Sequence, residues 1–181
     1  GCSGETMPNH KKLLTAGLLE AGYDVKMSEI HGMSQRGGSV SSQVRYGDKV
    51  ESPVIEIGGA DILVSFEKME ALRWLKYLKP EGQVVVNNYE INSMPIISGK
   101  FEYPAGIIEE LASKVKTKVV DAAKQAVALG NSKVMNVILL GTIIKAMGLE
   151  NINWEKIVRD HVKEQFVELN LKAIQAGMDL V

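Results

Sequence analysis

Between residues 60 and 120, short β-branched apolar runs alternate with stretches whose apolar residues recur at helical spacing. Ala60 to Ser65 and Lys116 to Val120 read as strands, and Gln83-Val84-Val85-Val86-Asn87 reads as a strand buried on both faces. Between them lie a helix from Glu67 to Leu78, stopped by Pro80 and Gly82, and a shorter one from Ile107 to Ser113. This order implies a parallel sheet, because parallel strands need a crossover and a helix supplies it. Earlier in the chain, Lys11 to Ala21 reads as a helix ended by Gly22, and Tyr23 to Met27 as a strand. Val40 to Tyr46 and Lys49 to Pro53, joined by Gly47-Asp48, read as a hairpin, which makes the sheet mixed. From Asp121 to Val181 the pattern is almost wholly helical, with breaks near Gly130-Asn131, Gly148 and Asn153. The expectation is an α/β protein: one three-layer α/β/α, Rossmann-like domain over residues 1–181, with a mainly parallel (mixed) sheet and a helical C-terminal end.

The composition, 45% hydrophobic and 24% charged, is that of an ordinary globular domain. With 21 basic against 22 acidic residues there is no global positive field to attract nucleic acid or an anionic membrane. The longest apolar runs, such as Val134 to Leu140, are too short to span a bilayer, and nothing in the given residues reads as a secretory signal. The one cysteine, Cys2, cannot form an internal disulfide, which fits a reducing cytoplasm. Nor can it hold an iron–sulfur cluster, which takes four thiolates. The histidines at 10, 31 and 161 show no metal-ligand spacing, so no metal is expected. Eight methionines spread along the chain read as packing.

The densest chemistry lies in Ser28-Glu29-Ile30-His31-Gly32-Met33-Ser34-Gln35-Arg36-Gly37-Gly38, between two strand-like segments. A linker needs none of it. Arg36 can hold a carboxylate or phosphate bidentately, His31 can exchange a proton near neutral pH, and Gly37-Gly38 admits close backbone approach. Ser28, Glu29, His31, Gln35, Arg36, Gly37 and Gly38 are therefore the candidate substrate or partner site, weighed against a set of buried hydrogen-bonded groups that merely hold a loop. Catalytic residues cannot be assigned from these alone. Glu67 and Glu70 also follow a strand end, but read better as a helix start and a first-turn acid. Asn87-Asn88 reads as either crevice lining or a turn.

Ser-Glu-x-His-Gly-Met-x-Gln-Arg-Gly-Gly resembles the signature of the small (beta) subunits of indolepyruvate ferredoxin oxidoreductases. More broadly, it resembles the gamma subunits or domains of 2-oxoacid:ferredoxin oxidoreductases. Further features fit: Val44-Arg45 followed by Ser52-Pro53, Gly59 to Glu67, Glu70-Ala71-Leu72-Arg73, and a last helix from Phe166 through Ala173 to Gly177. Gly1-Cys2-Ser3-Gly4-Glu5-Thr6 stands where the family has Gly-x-Gly-Gly-Gln-Gly; Gly1 and Gly4 match, while Ser3, Glu5 and Thr6 depart. The apolar strand that precedes this loop in the family is not among the given residues. Gly1 and Gly4 are retained only as weak cofactor-binding candidates, because Glu5 brings negative charge and Pro8 removes a donor.

The resemblance implies a single gamma-type domain and a small subunit that binds no cofactor itself. Thiamine diphosphate and the iron–sulfur clusters are expected on a large (alpha) subunit. The complex would carry out CoA-dependent oxidative decarboxylation of an aryl 2-oxoacid, with electrons passed to ferredoxin. A large-subunit partner is implied, with ferredoxin and CoA engaged through the complex, and the isolated chain is expected to be inactive. Two other readings stay open: a stand-alone Rossmann-like nucleotide-binding protein, and a non-catalytic assembly scaffold.

Overall fold

The computed structural model describes residues 10–31, 40–90, 97–99 and 102–181, and gives only the backbone path at 29–31 and 40–42. The chain forms two compact units, Glu56–Asp121 and the described parts of Gly1–Ile55 with Ala122–Val181.

The Glu56–Asp121 unit carries strands β3 (Ala60–Ser65), β4 (Leu78–Asn87) and β5 (Lys116–Val120), and helices α2 (Lys68–Trp74) and α3 (Ile107–Lys114). The strands are all parallel in the order β3-β4-β5, as the alternating pattern requires. Val84, Val85 and Val86 are all fully buried, so β4 is covered on both faces. Val84 and Val86 pack with Ala71 of α2, Ile107 and Leu111 of α3, and Leu78.

Leu78 departs from expectation. The helix extends only to Trp74, a 3₁₀ turn covers Leu75–Tyr77, and β4 begins at Leu78. Burying Leu78 in this core outweighs one more helical turn. Pro80 is tolerated because the register shifts there, from Ala60↔Leu78 to Ile62↔Gln83. Gly82 makes room at that irregularity: a Cβ there would lie 2.5 Å from the Leu78 side chain, which would have to shift, and 3.0 Å from the Asp61 carbonyl oxygen.

The other unit begins with α1 (His10–Glu20), followed by β1 (Asp24–His31) and β2 (Val40–Gly47), and resumes with α4 (Ala122–Ala128), α5 (Met135–Ala146), α6 (Trp154–His161) and α7 (Glu164–Asp179). α5 is apolar around nearly its whole circumference, and Val137, Ile138, Leu139, Leu140, Gly141, Thr142 and Ile144 are all buried. It crosses α7 at Gly141 and Gly177. A Cβ on Gly177 would sit 1.8 Å from the Ile138 carbonyl oxygen, and one on Gly141 2.2 Å from that of Ile174. Gly17 of α1 makes the same allowance for the Trp154 ring, 2.4 Å from where its Cβ would be. Gly22 and Gly148, at φ of 90° and 69°, end α1 and α5 in the left-handed conformation that favours glycine.

The α/β class, the parallel strands and the helical C-terminal end are all present. The hairpin is placed differently. β1 pairs antiparallel with β2, from Asp24↔Gly47 to His31↔Val40, in a sheet of its own, and Lys49 to Pro53 is not a strand. Pro53 has no N–H to give a ladder, and side chains hold this segment instead.

Candidate functional site

The β1–β2 hairpin carries the sequence motif at the end where residues 32–39 join its strands. Cross-strand pairing puts Asp24, Lys26 and Ser28 on one face of the ribbon with their partners Arg45 and Gln43. That face fastens the following segment. The Asp24 Oδ2 accepts from the Val50 N–H at 2.8 Å, and the Gln43 Oε1 from the Ile55 N–H at 2.9 Å. Ser28 Oγ donates to the Pro53 carbonyl at 3.1 Å. Arg45 Nη1 donates to the carbonyls of Ser52 and Val54, both at 3.2 Å. Gln43 is 4% exposed, so its bond to Ile55 is the best shielded of these. The Val50 N–H, followed by Lys26, holds the Asp24 carboxyl below the usual range. Tyr23 packs edge-on against Tyr46 with ring centroids 5.1 Å apart, completing a base fixed by side chains.

Of the site residues expected from sequence, Ser28 sits in this base with its hydroxyl engaged. Glu29 and His31 occupy the last positions of β1, in register with Ser42 and Val40. Gln35, Arg36, Gly37 and Gly38 lie outside the described residues, as do Gly1 and Gly4.

In the other unit, polar groups gather at the carboxyl ends of β3 and β4, which are neighbouring parallel strands. Glu67 caps α2: its Oε2 accepts from the Glu70 N–H at 3.0 Å. Its other oxygen accepts from the Tyr103 hydroxyl, which in turn accepts from the Met69 N–H at 3.2 Å. Burial, and then the bond to Glu67, push the Tyr103 phenol well above the usual tyrosine range. Glu70 is divided between Trp74 Nε1 and Arg73, both at 3.0 Å. Asn87 is fully buried and donates to the Phe66 carbonyl at 3.1 Å, tying the end of β4 to that of β3. Lys68 pairs with Glu90 at 2.6 Å and lies 5.4 Å over the Tyr103 ring.

The helix-start reading of Glu67 and the first-turn reading of Glu70 are thus what the fold uses. Sequence reasoning missed Tyr103 and the Lys68–Glu90 pair. Tyr103 lies in a passage with no periodicity, just before Pro104, and 36 residues from its carboxylate partner. Among the described residues, no three His, Cys, Asp or Glu side chains are grouped to hold a metal. No described helix is long and apolar enough to cross a membrane.

The sequence pattern of the pyruvate ferredoxin/flavodoxin oxidoreductase family matches residues 1–180. The chain belongs to that family. Within it, the indolepyruvate oxidoreductase subunit IorB of Pyrococcus horikoshii is 36% identical, over 98% of this chain and 91% of its own length. IorB of Archaeoglobus fulgidus is 35% identical, over 98% of this chain and 90% of its own. The fold recurs in the gamma subunit of a keto/oxoacid ferredoxin oxidoreductase from Geobacter sulfurreducens. That likeness has a TM-score of 0.64 at 22% identity and covers 93% of this chain and 88% of that one. It recurs also in a 2-oxoglutarate:ferredoxin oxidoreductase from Magnetococcus marinus, with a TM-score of 0.63 at 18% identity. There it covers 98% of this chain but 29% of that one, so the same fold forms part of a longer polypeptide.

Proposed function

We propose that this chain is the small subunit of an indolepyruvate-type 2-oxoacid:ferredoxin oxidoreductase. It supports CoA-dependent oxidative decarboxylation of an aryl 2-oxoacid, with electrons passed to ferredoxin. The observation that carries the reading is similarity to IorB subunits running through 98% of the chain. The subunit names of these relatives support assembly with a partner subunit, which we take to be the large one.

The residues of this chain do not fit an electron-carrying cluster, because the given sequence has one cysteine where four thiolates are needed. The family resemblance implies that thiamine diphosphate and the clusters sit on the large subunit, and that this chain lends shape. The hairpin supports that role: in the chain, Glu29 to Gly38 follow directly on a base whose Asp24, Ser28, Gln43 and Arg45 side chains fasten residues 50–55. Glu29 to Gly38 form a wall of the site or its seam with the large subunit, ordering it and excluding water from the reacting carbon. A cytoplasmic location goes with this reading.

Reconstitution tests it. The large subunit alone should lose most of its 2-oxoacid-dependent ferredoxin reduction and regain it when this chain is added; full activity without the chain would end the proposal. Substituting Arg36 with Ala should lower turnover at least about tenfold in a complex that still assembles, as loss of a charge-assisted contact would. A scaffold without a share in the site would keep its rate.

A further inference from the structure

We draw no further inference here: the strongest candidate, the open cavity of about 340 Å³ lined by Glu20 at the end of α1, Gly148 just after α5 and the turn at 149–153, carries nothing, because Glu20 is already paired with Lys156, Asn153 is engaged in capping α6, and none of the residues lining it holds a buried polar atom without a partner.

Discussion

Removing the phenol oxygen of Tyr103 would leave the Glu67 carboxylate, 4% exposed, one hydrogen bond short. Tyr103→Phe is therefore expected to cost about 1–3 kcal/mol in urea unfolding, the penalty for an under-satisfied buried group. His10 is the other telling titratable residue. Burial, and then the nearby Lys11, push its pKa down to about 4 from the usual 6.5. The unfolded chain thus takes up a proton as pH falls through 6.5, while the folded one resists until about 4. The stability present above pH 6.5 is lost progressively across that window, by at most about 1.4 kcal/mol per pH unit. Denaturant midpoints measured between pH 7 and pH 4 should show this slope, and His10→Leu should flatten it. At this scale the sequence was partly legible. Glu67 and Glu70 were readable because capping depends on near neighbours. Tyr103 was not, because its role comes from a long-range meeting that no local pattern encodes.

Among elements, the α5–α7 crossing is the tightest. Gly177→Ala would drive a methyl into the Ile138 carbonyl, forcing two rigid backbones apart. Its expected cost is about 1–3 kcal/mol or more, read from the urea midpoint, with Gly141→Ala close behind. The helices themselves were legible, since apolar spacing and the glycine breaks mark them out. The glycines that allow their contact looked like any other small residues. The hairpin shows the opposite failure. Alternating polar and apolar residues suggested that Lys49 to Pro53 pairs with β2. The true partner is β1, and the 50–55 segment is fastened by side chains of Asp24, Ser28, Gln43 and Arg45. Val44-Arg45 and Ser52-Pro53 are both among the features that resemble the family. Arg45 reaching the Ser52 carbonyl gives their spacing a physical reason.

For the molecule as a whole, the two units differ in how the chain builds them. Glu56–Asp121 is continuous, whereas the other unit is assembled from both ends of the sequence. Its first helix, α1, packs on α6 through Gly17 and Trp154. Deleting residues 164–181, which carry α7, should strip the buried face of α5 and expose it. Amide exchange should then lose protection in α1 and α5 before it loses protection at Val84 to Val86 of β4, whose core lies in the continuous unit. Equal loss at both places would show that the two units unfold as one.

Periodicity, turn residues and a long polar motif determined, without coordinates, that this is an α/β chain of parallel strands with a helical end, and which family it resembles. These are properties of neighbours along the chain. Only the tertiary structure decided which strand β1 pairs with, where β4 begins, and which groups meet Glu67 and Lys68. Those choices depend on residues far apart in sequence competing for the same burial and the same hydrogen bonds, and the winner is known only once the chain has closed on itself.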